Sequence, residues 1–117
     1  IGENDTLSAI VAAAIGADLL VLLSDIDGLY DKDPRRHPDA RLIPTVERVD
    51  DELFTLAEDS STGLGTGGMI TKLRAAAIAT EAGCEMVIAN GSKPEVLYDI
   101  AAGRPAGTRF LTGRAAV

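Results

Sequence analysis

At 117 residues the chain has the length of one domain, and its 46% of hydrophobic residues supply a core that must be aliphatic, since aromatics make up 3% and Trp is absent. A net charge of −7 argues against nucleic acid as a partner of this segment, because a phosphate backbone needs a basic surface. The single cysteine, Cys84, forms no internal disulfide and fits a reducing cytoplasm; one His and one Cys make a zinc site a poor fit, and no secretory leader and no apolar run of the roughly 18 residues that span a bilayer is visible.

Along the chain, Gly2-Glu-Asn-Asp-Thr6 is dense in polar groups. Asn4, Asp5 and Thr6 offer N-cap residues for an Ala-rich helix over Leu7–Ile15, which is apolar almost all round and therefore expected to be buried. Capping needs one such side chain rather than three, which leaves Asn4 able to face an amino-acid carboxylate or amine and Asp5 able to orient a lysine. Gly16 closes the helix. Asp18–Leu23 is a short continuous apolar run, the pattern of a central parallel strand covered on both faces. Ser24–Gly28 is then the loop at its carboxyl end. Asp27 is expected to shape a turn about Gly28; for Asp25 a turn and a ligand-facing role stand equal. The acidic run Asp25, Asp27, Asp31, Asp33 is no calcium loop, since Tyr30 stands where the sixth-position glycine belongs. His37, in Arg35-Arg-His-Pro38, reads as a surface residue.

Leu42–Val46 reads as a short edge strand, because Pro44 removes a ladder donor. Val49–Ala57 reads as a helix capped by Asp50 or Asp51. Then comes Gly63-Leu-Gly-Thr-Gly-Gly-Met-Ile-Thr-Lys72, followed by a helical run over Lys72–Ala82. Glycines let backbone N–H groups turn toward a ligand, and a helix start adds unpaired donors and a positive dipole end, so the pair suits a phosphate. Lys72 adds a cation, expected in the first helical turn. The stretch is not a Walker A loop, since Met69 stands in the lysine's place. It is not a Rossmann turn either, since the polar residues Glu58–Thr62 precede it rather than a strand. A flexible glycine-rich connection is the plain alternative. Glu85–Ala89 is a second buried strand ended by Asn90-Gly91. Pro94–Ala102 is a helix with Pro94 at its first position and Gly103 just past its end. Thr108–Leu111 is a last strand.

Helices alternating with buried strands predict an α/β fold, a three-layer α/β/α sandwich around a mainly parallel sheet. In such sheets ligands sit outside the carboxyl ends of the strands. Ser24–Gly28, Asn90–Ser92 and the glycine loop are therefore expected to converge on one crevice.

Three blocks carry a resemblance. Gly2-Glu-Asn-Asp-Thr-Leu-Ser-Ala9, Ser24-Asp-Ile-Asp-Gly-Leu-Tyr30 and Gly65-Thr-Gly-Gly-Met-Ile-Thr-Lys72, in this order and spacing, resemble the amino acid kinase superfamily, and within it the glutamate 5-kinase family. The likeness continues through Ala89-Asn-Gly91 and Gly107-Thr-Arg-Phe110. It implies ATP- and Mg²⁺-dependent phosphorylation of the side-chain carboxylate of L-glutamate, the opening step of proline biosynthesis, by a cytoplasmic enzyme that is homo-oligomeric and has no membrane partner. It assigns Lys72 to the transferred phosphoryl group, Asp5 to organising the catalytic lysines, and Asn4 and Glu3 to glutamate. Ser24 and Asp25, with Thr66, Gly67, Gly68, Met69, Ile70, Thr71 and Lys72, are assigned to ATP. No residue is assigned as a metal ligand. Family members carry a further lysine and a small-residue loop near their amino terminus, and the chain starts at Ile1. Residues 1–117 are therefore expected to be the carboxyl, ATP-binding part of the kinase domain, a sandwich incomplete at its amino end and inactive alone. The alternatives are another amino acid kinase, such as an acetylglutamate kinase, or a non-catalytic nucleotide-binding module.

Overall fold

The structure, a computed structural model, describes residues 2–59 and 66–112. The element order is α1 (Gly2–Ile15), β1 (Leu19–Ser24), β2 (Thr45–Val46), α2 (Asp51–Asp59), α3 (Thr66–Glu81), β3 (Glu85–Asn90), α4 (Val96–Ala101) and β4 (Thr108–Phe110). The strands form one sheet in the order β1-β3-β4-β2. β1 and β3 pair in parallel from Leu19↔Glu85 to Ser24↔Asn90, β2 and β4 pair in parallel, and β4 runs antiparallel to β3.

Three layers arise from the two-residue alternation of β3. Met86 and Ile88 face the larger core with Leu22, Leu73 and Phe110, under α1, α2 and α3. Val87 and Ala89 face a smaller core closed by Ile100 of α4. The expected sandwich is therefore present, with a mixed sheet. The reversal at β4 follows from the length of α4. Six residues advance about 9 Å, less than half of the roughly 20 Å that β3 covers, so the chain never returns to the start of β3. It re-enters the sheet beside Ile88 and runs back.

α1 departs from expectation twice. It starts at Gly2, so Asn4, Asp5 and Thr6 lie inside the helix instead of capping it. It is also buried on one face only: Ala9 and Ala12 are covered, while Leu7, Ile10, Val11 and Ile15 are exposed. The covered face meets Ala75, Ala76 and Ala79 of α3, and five methyl side chains between two helices permit close approach of their backbones. β1 is likewise an edge strand among the described residues, and Leu23 is half exposed, so it is not the covered central strand that its apolar run suggested. That position belongs to β3.

α3 begins at Thr66, six residues before its expected start, drawing Gly67 and Gly68 into its first turn. Each glycine costs about 1 kcal/mol relative to alanine in a helix interior. Met69 and Ile70, which pack on the larger core, offset that cost. α2 starts and ends two residues later than expected, but its expected cap holds: Asp50 Oδ1 accepts from the Leu53 N–H at 3.0 Å as an N-cap. α4 starts later than expected: Glu95 is its N-cap, and Pro94 lies outside the helix.

Candidate functional site

Topology brings the sequence motifs to one edge of the sheet. α1 and α3 each lead into their strands through three residues, so each helix runs antiparallel to the strand that follows. Fourteen residues of α1 advance about 21 Å and six of β1 about 20 Å, so the helix start lies level with the strand end. The same holds for α3 and β3. The beginnings of α1 and α3 and the ends of β1 and β3 thus share the carboxyl edge, the place where ligands of open α/β sheets bind.

On the helical side, Lys72 Nζ donates to Asp5 Oδ2 at 3.0 Å, joining α3 to α1. Both side chains are more than four-fifths buried. Lys72 is the seventh residue of α3, one turn beyond its expected position, which is what brings it level with Asp5. An ammonium has three donors, and this bond uses one. Asn4 precedes Asp5 on α1 and is exposed. In the first turn of α3 the backbone N–H groups of Thr66, Gly67 and Gly68 have no acceptor within the helix. Met69, Ile70 and Thr71 continue the helix: Met69 and Ile70 face the core, so their contribution to a ligand would come through the backbone. Of Glu3, Thr66 and Gly67 the backbone alone is described, and Gly63 and Gly65 lie outside the described residues.

On the strand side, Ser24 and Asn90 are register partners at the two strand ends, and the Gly91 N–H donates to the Ser24 carbonyl at 2.7 Å. Ser24 Oγ donates to Asp25 Oδ1 at 3.4 Å, and Asp25 is exposed. Asp27 does not form the local turn expected of it. Its Oδ1 accepts from Asn90 Nδ2 at 3.0 Å and its Oδ2 from the Tyr30 hydroxyl at 3.3 Å. Asn90 Oδ1 in turn accepts from the Ser92 N–H at 2.9 Å and from Ser92 Oγ at 2.7 Å. One carboxylate and one amide therefore tie the loops after β1 and β3 together. They border a cleft of about 290 Å³ lined by Asp25, Asp27, Tyr30, Pro34, Arg35 and Asn90. Burial, then the charge of Asp27 and the hydrogen bond it accepts, hold the Tyr30 phenol above its ordinary pKa of 10.0.

The sequence motifs therefore separate into two groups at one edge: Asn4, Asp5 and Lys72 with the start of α3, and Ser24 and Asp25 at the end of β1, where Asp25 lines the cleft. Tyr30, Pro34 and Arg35 receive no site role from the sequence, because nothing in a turn-rich charged stretch says which side chains fold back toward the strand ends. His37 is exposed, as expected.

The chain is 57% identical over 110 residues to a glutamate 5-kinase of Photorhabdus laumondii, covering 94% of this chain and 30% of that protein. It spans about 30% of the length of the curated relatives it matches. Among solved structures it resembles the isopentenyl phosphate kinase of T. acidophilum in a product complex (TM-score 0.65, 27% identity, 91% of this chain and 38% of that one). It also resembles a carbamate kinase from Giardia lamblia bound to AMP-PNP (TM-score 0.63, 25% identity, 92% of this chain and 31% of that one). Residues 1–90 match the model of the amino acid kinase family, and with the helix starts and strand ends gathered at one edge, the chain belongs to that family.

Proposed function

We propose that this chain supplies the ATP-holding side of an active site that phosphorylates the side-chain carboxylate of L-glutamate, giving glutamyl 5-phosphate and ADP. The observation that carries the reading is the Lys72–Asp5 pair, set in a largely buried position between the starts of two helices at the ligand edge. The 57% identity to a glutamate 5-kinase supports the choice of substrate.

The donors present suit a triphosphate. The first-turn amides of Thr66, Gly67 and Gly68 and the positive end of α3 favour an anion. Lys72 keeps two N–H donors for phosphoryl oxygens, while Asp5 holds its ammonium in place. Transfer consists of attack by a glutamate carboxylate oxygen on the terminal phosphorus with ADP leaving in line. Charge spreads over the equatorial oxygens during the step, and a fixed cation there lowers the barrier without reorganising. In this reading Asn4, exposed beside Asp5, binds glutamate, together with Glu3. Asp25, which accepts from Ser24 Oγ, lines the cleft assigned to the nucleoside end of ATP. No cluster of three or more His, Cys, Asp or Glu that could hold an ion stands among the described residues. In this reading Mg²⁺ arrives on the phosphates, where it would neutralise their charge. The reading includes proline biosynthesis, a homo-oligomer, the cytoplasm, and neither nucleic acid nor membrane as a partner of this segment.

The test is Lys72→Ala in the full-length protein. Turnover should fall at least a hundredfold, with a much smaller change in ATP affinity. Turnover within threefold of the wild type would remove Lys72 from the reaction, since about 1.4 kcal/mol of barrier already corresponds to tenfold.

A further inference from the structure

Thr108 opens β4, far in sequence from the site motifs, and is fully buried. Its hydroxyl accepts from the Leu29 N–H at 2.9 Å and donates to the Ile43 carbonyl at 2.6 Å. Those two residues are already joined by a direct bond, Ile43 N–H to the Leu29 carbonyl at 2.8 Å. In an antiparallel ladder such a pair exchanges two direct bonds. Here the second bond is replaced by the Thr108 hydroxyl, inserted between donor and acceptor.

The insertion matters because of what Leu29 and Ile43 bound. Between them lies the excursion that carries Tyr30, Pro34 and Arg35 to the cleft, tied across its base by the Asp31 N–H to the Arg41 carbonyl at 3.0 Å. Immediately before Leu29 lies the Ser24–Gly28 loop. Gly28 passes so close that a Cβ on it would stand 2.6 Å from Thr108 Oγ1, so the loop rests directly on this side chain. We infer that Thr108 is a positioning residue of the nucleotide cleft, holding the wall formed by residues 24–43 against the sheet through its hydroxyl. This rests on the assignment of that cleft to ATP.

The experiment compares Thr108→Val and Thr108→Ser in the full-length protein, reading ATP binding by calorimetry and the KM values for ATP and glutamate. Valine keeps the shape and removes the hydroxyl, leaving the Leu29 N–H and the Ile43 carbonyl buried without their partner. The expected result is ATP binding weakened at least fivefold in Thr108→Val, with the ATP KM rising in step and the glutamate KM within twofold of the wild type. Thr108→Ser, which keeps the hydroxyl, should bind ATP within twofold of the wild type. If Thr108→Val does not fold, Thr108→Cys, a weak hydrogen-bonding group of similar size, takes its place with the same expectation of lost ATP affinity. Equal ATP affinity in the hydroxyl-free and wild-type proteins would overturn the inference, as would an equal rise in both KM values. A wild type that binds no ATP would instead overturn the assignment of the cleft.

Discussion

Gly107 and Gly103 test how closely β4 is held against β3. Both have positive φ, +62° and +78°. Adding a Cβ at Gly103 meets nothing within 4 Å. At Gly107 it would fall on the carbonyl oxygen of Ile88, with Ala89 Cα 3.1 Å away. These are backbone atoms of the central strand and cannot rotate aside. Gly103→Ala should cost only the left-handed conformation, about 1 kcal/mol. Gly107→Ala should add an overpacking cost of about 1–3 kcal/mol at the upper end of its range, because strand must move against strand. The expected gap between the two variants is therefore at least about 2 kcal/mol. Urea unfolding of both variants in the same full-length background measures it. The gap should be accompanied by a loss of ATP affinity in Gly107→Ala alone, since the displaced strand carries Thr108. Equal destabilisation, within about 0.5 kcal/mol, would show that β4 gives way freely and that the close approach has no energetic consequence.

The Asp5–Lys72 pair can be measured by a double-mutant cycle with Asp5→Asn and Lys72→Met. At 3.0 Å the direct attraction is about 5–6 kcal/mol at an effective dielectric of 20, and desolvation of two largely buried charges cancels much of it, so the expected coupling is about 1–2 kcal/mol. A coupling below about 0.3 kcal/mol would mean that the two helices are held by their alanine faces alone. The raised pKa of Tyr30 has a definite sign in the stability profile. The folded state holds the phenolic proton more tightly than the unfolded state, so its contribution is complete below about pH 10 and is lost as pH climbs through the higher folded value. Urea midpoints measured from pH 8.5 upward should therefore decline less steeply in Tyr30→Phe than in the wild type, and parallel declines would contradict the assignment.

Much of the framework is legible in local sequence because it rests on short-range rules. Asp50 caps α2, Gly103 follows the end of α4, and the apolar runs of β1 and β3 give two strands in parallel register. The site motifs were legible for a related reason: the helix–strand units are nearly equal in length, so whatever begins a helix meets whatever ends the next strand. Tertiary contacts decided the rest. The burial of Met69 and Ile70 pulled α3 back across two glycines that local propensity would have left in a loop. The run Leu7–Ile15 is apolar almost all round, yet within it only Ala9 and Ala12 are fully covered, because coverage depends on the neighbouring helix and not on the residue. Asp27, read as a turn former, instead bridges Asn90 and Tyr30, and Thr108 completes a ladder between residues 79 and 65 positions away. A hydroxyl's partner that distant leaves no mark in periodicity or composition. It exists only once Leu29 and Ile43 have both been brought within 3 Å of the Thr108 hydroxyl oxygen, and that is the work of packing.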